Sequence, residues 1–129
     1  MSDERARLGF LLAGLYNLMI IVFSRGFSPV LGDVDPLFGT EGTILIFLWG
    51  LAYMATRSAY AAAPLLAGVF CLEKLFFVQH WGRWMAREGG SLGELFAADP
   101  LTGFFYGVYG VGDALFGVFF GMVCWRYRN

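Results

Sequence analysis

Residues 103–125, GFFYGVYGVGDALFGVFFGMVCW, form one apolar stretch that contains a single charged residue, Asp113. Residues 65–81, LLAGVFCLEKLFFVQHW, form a second stretch with Glu73 and Lys74 at its centre. Both fall in the range of about 17–25 helical residues that cross a bilayer. A charge at membrane depth costs roughly 2.5–3.5 kcal/mol on insertion scales, so we expect these three residues to pair or to serve a function.

The composition of the whole chain favours an integral membrane protein. Of its 129 residues, 58% are hydrophobic and only 15% are charged, whereas about a quarter of the residues in soluble domains are charged. The net charge of −1 gives no basic surface for nucleic acid. A single histidine excludes a His-rich metal site or a di-haem bundle. We therefore expect no metal, and no cofactor motif is evident.

Four apolar runs predict an all-α fold with one transmembrane domain over residues 1–129. The runs cover about 7–24, 42–58, 62–84 and 100–125. They are continuous rather than alternating, which excludes strands as spanning elements. The prediction is a polytopic four-helix bundle made of two tandem helical hairpins. A short interfacial helix is predicted at 91–98, with Ser91 and Glu94 forming a capping box at its start.

The two halves of the chain resemble each other. Residues 11–18, LLAGLYNL, match residues 65–72, LLAGVFCL, and DPLFG at 35–39 matches DPLTG at 99–103. The match predicts an internal duplication, each copy having a helix, a polar connection, an Asp-Pro start and a second helix. Asp accepts otherwise unbonded N–H groups at a helix start, and Pro suits the first turn. The alternative is chance similarity between apolar segments.

The arginines predict the orientation in the membrane. Five of them lie on the side shared by both termini, and three lie on the opposite side. The first group is Arg5, Arg7, Arg57, Arg126 and Arg128, and the second is Arg25, Arg83 and Arg87. Because positive residues concentrate in cytoplasmic loops, we expect both termini in the cytoplasm.

A mid-membrane polar cluster is the main candidate site. Lys74 projects about 100° away from Glu73, so its expected partner is Asp113 on the neighbouring helix. Glu73 and His80 share one helix stripe, which would suit either a proton path or a buried Glu with an interfacial His. The alternative role for the charges is purely structural. The predicted ligand-binding or buried polar cluster comprises Asn17, Glu73, Lys74, His80, Trp84, Tyr106, Tyr109 and Asp113.

Small residues form a seam along the last helix. The seam consists of Gly103, Gly107, Gly110, Ala114, Gly117 and Gly121. It would admit a helix of the same bundle, another subunit or a flat ligand such as a quinone ring.

The two cysteines are predicted at different depths. Cys71 is predicted mid-membrane and Cys124 near a helix end, about a dozen ångströms apart in depth, so a disulfide is not expected.

The segments LLAGLYNL, LLAGVFCLEKLFF and GVGDALFGVFFG, in four short spans, resemble the DoxX-like group of small bacterial membrane proteins. The resemblance implies an inner-membrane protein associated with redox complexes, some members being linked to quinone-dependent sulfur oxidation. It transfers no catalytic residue. A second similarity, to four-helix sterol isomerase or sigma-two-type bundles, implies acid/base chemistry at acidic residues in a membrane cavity.

From these observations we expect a binding or accessory protein for a quinone-like or lipid ligand. Its partners would be membrane lipids, with a membrane protein or a second copy as a further partner. The alternatives are an intramembrane acid/base enzyme, isomerase-like, that uses Glu73 or Asp113, and a structural subunit of a larger complex.

Overall fold

The computed structural model describes all 129 residues, and every regular element in it is helical. The helices are α1 (Asp3–Leu18), α2 (Ile20–Phe23), α3 (Thr40–Thr56), α4 (Pro64–Glu88), α5 (Leu92–Ala98) and α6 (Pro100–Tyr127). Short 3-10 turns lie at Leu31–Asp33, Pro36–Phe38 and Gly89–Ser91. The all-α prediction is confirmed.

The chain divides into two compact units, residues 1–59 and 60–129. In the first unit α1 and its short continuation α2 pack against α3. In the second unit α4 and α5 pack against α6. Each unit is therefore a helical hairpin. That the whole chain forms one transmembrane domain, and that the two hairpins arose by duplication, remain predictions.

Two of the four predicted spans are long and apolar enough to cross a membrane on their own. They are Asp3–Phe23, which joins α1 and α2, and Pro100–Tyr127, which is α6. Helix α3 has 17 residues, about 25 Å, and so is shorter than a typical span of about 30 Å. Helix α4 is long enough at 25 residues but carries the central charges and a polar C-terminal third.

All four long helices expose large apolar side chains. Typical exposed fractions are 47% for Leu12 on α1, 57% for Leu45 on α3, 67% for Leu72 on α4 and 69% for Leu115 on α6. Contiguous apolar surface of this kind is rare on soluble monomers and is a mark of membrane or protein contact. We call these surfaces the exposed apolar faces.

In the first unit, α1 and α3 cross at two glycines, Gly14 and Gly50. A methyl group on Gly14 would overlap the Met54 side chain, and one on Gly50 would lie 2.9 Å from the Gly14 carbonyl oxygen. The backbones of α1 and α3 therefore touch at this crossing. One turn along α1, the buried Asn17 side chain donates from Nδ2 to the Ile46 carbonyl at 2.9 Å. Close packing and one interhelical hydrogen bond thus hold the two helices together.

The two Asp-Pro steps begin different structures. Asp99 caps α6 as predicted, since Oδ1 accepts from the Thr102 N–H at 3.4 Å and Oδ2 from the Thr102 hydroxyl at 2.8 Å. Asp35 accepts from the Leu37 N–H at 3.0 Å but begins only a 3-10 turn. The prediction for this copy is wrong because Gly39 is extended, with ψ −179°, and delays α3 until Thr40.

The capping box predicted at the start of α5 is also wrong. The Ser91 side chain forms no capping hydrogen bond to α5. Its hydroxyl donates instead to the Glu88 carbonyl, at 2.7 Å. The reason is the 3-10 turn at Gly89–Ser91, which places Ser91 close to the last carbonyls of α4.

The connection after α2 contains three successive residues in the left-handed region: Arg25 at φ 53°, Gly26 at φ 74° and Phe27 at φ 66°. A Cβ added to Gly26 would meet nothing within 4 Å. Substitution of Gly26 by Ala therefore changes backbone preference without creating a clash.

We expect Gly26→Ala to lower the free energy of unfolding by about 1 kcal/mol, because an L-residue in this region costs roughly 1–2 kcal/mol. Equilibrium unfolding in detergent, followed by circular dichroism, measures the change. Gly93→Ala is the control, since a Cβ there also meets nothing and Gly93 has no positive φ. Equal effects of the two substitutions would contradict the interpretation.

Candidate functional site

A buried ion pair joins α4 to α6 at the centre of the second unit. Lys74 Nζ lies 2.7 Å from Asp113 Oδ1, and the two side chains are 1% and 8% exposed. The partnership predicted from the sequence is confirmed. Gly117 makes room for it, because a Cβ there would lie only 3.3 Å from the Lys74 Cβ. The lysine stem therefore lies against the backbone of α6.

An aromatic cluster, Trp84, Phe105, Tyr106 and Tyr109, lies between the ion pair and the α4–α5 turn. Trp84 stacks on Tyr106 with ring centroids 5.0 Å apart, and Phe105 stacks on Tyr109 at 5.1 Å. Tyr106 and Tyr109 meet edge to face at 6.2 Å. All four side chains are buried.

The Trp84 indole is 3% exposed, and its Nε1 forms no hydrogen bond within the chain. Buried indole N–H groups usually find an acceptor. Oε2 of Glu73 and Oη of Tyr109 are likewise buried without a hydrogen bond at that atom, although both residues interact with the rest of the chain in other ways. The second unit thus contains a buried donor in an aromatic setting.

Trp81 is a site residue that the sequence analysis missed. Its Nε1 donates to the Tyr106 carbonyl at 2.8 Å, and its ring meets Tyr109 edge to face at 6.5 Å. A Cβ on Gly110 would overlap the indole, so this glycine makes room for the ring. The spacing from Lys74 to Trp81 is two helical turns, which places both on the face toward α6 and would have indicated this role.

The small-residue seam of α6 contacts helices of its own unit. Cβ atoms added to the seam would meet Phe96 at Gly103, Leu92 at Gly107, Trp81 at Gly110, Lys74 at Gly117 and Cys71 at Gly121. Ala114 is half-buried on the same helix. Of the three predicted occupants of the seam, the one observed is an internal partner, formed by α4 and α5.

The remaining predicted site residues are placed as follows. His80 is half-buried, with its ring stacked on Phe76 at 6.2 Å. Phe76 is 48% exposed, so His80 stacks on a side chain at the exposed surface. Asn17 belongs to the first unit, where it bonds the Ile46 carbonyl. A proton path through Glu73 and His80 remains a prediction.

The predicted difference in depth between the cysteines is wrong. A Cβ on Gly121 would lie 3.4 Å from Cys71 Sγ, so Cys71 lies opposite Gly121. Cys124 is three residues further along α6, about 4.5 Å in depth. The prediction placed each cysteine relative to the midpoint of its own apolar run. The two helices pack with those midpoints offset, so the two cysteines lie at more similar depths than predicted.

Compared with protein-family models, curated proteins and solved structures, the chain matches none of them.

Proposed function

We propose that the chain is an integral membrane protein that crosses a bacterial inner membrane four times, through α1–α2, α3, α4 and α6. The exposed apolar faces support four spans, because α3 and α4 present them as well as the two longer apolar helices. The polar loops would place both termini in the cytoplasm, since five arginines lie on that side and three on the other.

The proposed activity is the binding of a lipid-soluble molecule that carries a carbonyl group on a flat ring, as a quinone does. The observation that carries this proposal is the buried Trp84 N–H, which forms no hydrogen bond within the chain. A buried donor without an acceptor costs about 1–3 kcal/mol, so a ligand acceptor at this position would stabilise the protein. The stacked rings of the aromatic cluster would suit a flat ligand.

The ion pair favours a binding protein over an enzyme that uses Asp113. Lys74 holds the Asp113 carboxylate at 2.7 Å, so this carboxylate already has a strong charged partner. The carboxyl of Glu73, on the preceding residue of α4, is the remaining acid/base candidate in the second unit's core. An isomerase-like enzyme would therefore depend on Glu73, and this is the second candidate function.

The DoxX-like resemblance extends the proposal to an accessory role beside a redox complex. A quinone-like ligand fits that setting, because quinones carry electrons between membrane complexes. A purely structural subunit is the competing interpretation. It would need the buried ion pair for helix packing but would have no use for a ligand acceptor near Trp84.

The test is the binding of a decyl-substituted benzoquinone to the full chain in lipid nanodiscs, measured by native mass spectrometry. We expect Trp84→Phe to weaken binding about tenfold, because it keeps the stacked ring but removes one hydrogen bond worth about 1–1.5 kcal/mol. Trp125→Phe is the matched control, since that indole is 70% exposed and lies at the other end of the unit. It should bind as the unchanged chain does.

Failure of the unchanged chain to bind the probe would contradict the proposed ligand class. Equal binding by the Trp84→Phe variant would contradict the role of its N–H. An isomerase-like enzyme would instead convert a sterol-type substrate and would not bind the quinone probe. In that case Glu73→Gln would abolish the turnover. A structural subunit would show neither binding nor turnover.

A further inference from the structure

We propose that Cys71 and Cys124 form a thiol pair that closes into an intramolecular disulfide when the protein is oxidised. Such a bond would link α4 to α6 at the end of the second unit that holds both the start of α4 and the C-terminus. The inference rests on the packing of these two helices and is independent of the proposed ligand.

The two cysteines face each other's helix in a reciprocal arrangement. A Cβ on Gly68 would lie 3.0 Å from Cys124 Sγ, and a Cβ on Gly121 would lie 3.4 Å from Cys71 Sγ. Each thiol therefore lies against a glycine three residues from the other cysteine along the chain. Residues three apart on a helix have Cβ atoms about 5–6 Å apart, so Cys71 Sγ lies at most about 9 Å from the Cys124 Cβ.

The glycines make the closure feasible. No side chain extends from Gly68 or Gly121, so each thiol lies directly against the backbone of the opposite helix. A disulfide needs a Cβ–Cβ distance of about 3.5–4.5 Å, so closure requires a shift of one helix end toward the other, after which rotation of the two side chains brings the sulfurs together.

The expected ground state is the dithiol. Both cysteines are free and half-buried. With the termini in the cytoplasm, the pair would lie toward a reducing compartment, where disulfides are usually transient and redox-sensing. Lys74 lies one turn beyond Cys71 on α4, so the bond would fix the register of the two helices beside the ion pair.

Glutathione disulfide is the oxidant class that we propose. The thiolate of one cysteine attacks a sulfur of glutathione disulfide, which forms a mixed disulfide and releases one glutathione thiolate. The thiolate of the second cysteine then attacks the protein sulfur of the mixed disulfide and displaces the second glutathione. The two protein thiols lose two electrons and two protons, and the oxidant becomes two molecules of reduced glutathione.

The experiment treats the reduced full chain in nanodiscs with glutathione disulfide and measures the intact mass after denaturation. We expect a loss of about 2 Da and the disappearance of both maleimide-reactive thiols, since closure removes two hydrogens. Digestion should yield one peptide pair joined through Cys71 and Cys124. Cys71→Ser and Cys124→Ser should each stop at the mixed disulfide with one glutathione.

A matched control moves one thiol about 100° around α4, to an exposed position at almost the same depth. Leu72 is 67% exposed, so Leu72→Cys combined with Cys71→Ser places the thiol away from α6. This variant should gain glutathione and form no internal disulfide. Two remaining free thiols in the unchanged chain, a disulfide between two chains, or equal closure in the control would each overturn the proposal.

Discussion

Replacement of Lys74 by Met is expected to destabilise the protein by about 3–5 kcal/mol, because it leaves the buried Asp113 carboxylate without its ammonium partner. The Lys74 and Asp113 side chains are 1% and 8% exposed, so water cannot replace the lost contact without a rearrangement of the helices. Unfolding of the full chain by SDS titration, followed by circular dichroism, measures the loss.

The double variant Lys74→Met with Asp113→Leu tests the cause. It removes both charges and fills the space with apolar atoms, so it should recover most of the lost stability. Arg87→Met is the control for the loss of a positive charge at an exposed position of α4, and surface substitutions of this kind stay within about 0.5 kcal/mol. A double variant as unstable as the single one would show that packing of the lysine stem, rather than charge, dominates.

Replacement of Gly110 by Ala has the second largest expected effect, a loss of about 1–3 kcal/mol. The added Cβ would overlap the Trp81 indole, which cannot move without losing its hydrogen bond to the Tyr106 carbonyl. The loss should exceed the gain of about 1 kcal/mol that alanine brings to a helix interior. The same SDS titration measures it.

Gly107→Ala is the matched control on the same helix, one turn away. A Cβ there would lie 3.7 Å from Leu92, an ordinary contact, so this substitution should leave the stability unchanged or raise it. Gly110→Ala combined with Trp81→Ala should cost less than the sum of the two single changes, because the clash is then absent. Additive effects, or equal results for Gly107 and Gly110, would show that the indole does not depend on the glycine.

The features that could be predicted from the sequence are those that depend on a single helix or on the pairing of two opposite charges. The apolar runs predicted the helices, and Asp99-Pro100 predicted the start of α6 with the cap that is observed. Lys74 and Asp113 could be paired because two opposite charges near the centre of adjacent antiparallel helices have few other ways to be neutralised. The partnership follows from that requirement, whereas the close approach of the lysine stem to α6 also depends on Gly117.

Features that depend on how two helices are offset could not be predicted. The spacing from Lys74 shows that Trp81 faces α6, but the particular glycine that it meets, Gly110, and the position of Cys71 opposite Gly121 follow from the relative shift of α4 and α6. That shift is set by the packing of many side chains together, and no local motif encodes it. The predicted capping box is absent for a similar reason. The 3-10 turn before α5 places the Ser91 hydroxyl so that it donates to the Glu88 carbonyl.

The exposed apolar faces determine how a binding constant for this protein must be expressed. With Leu65 70% and Val118 64% exposed, a surrounding phase of acyl chains would be the medium from which a hydrophobic ligand arrives. The relevant ligand concentration is then its mole fraction in that phase, and its concentration in the water has little meaning. Adding detergent at constant protein and ligand dilutes the ligand and lowers its occupancy. Affinities from micelles and nanodiscs become comparable only after conversion to this common scale.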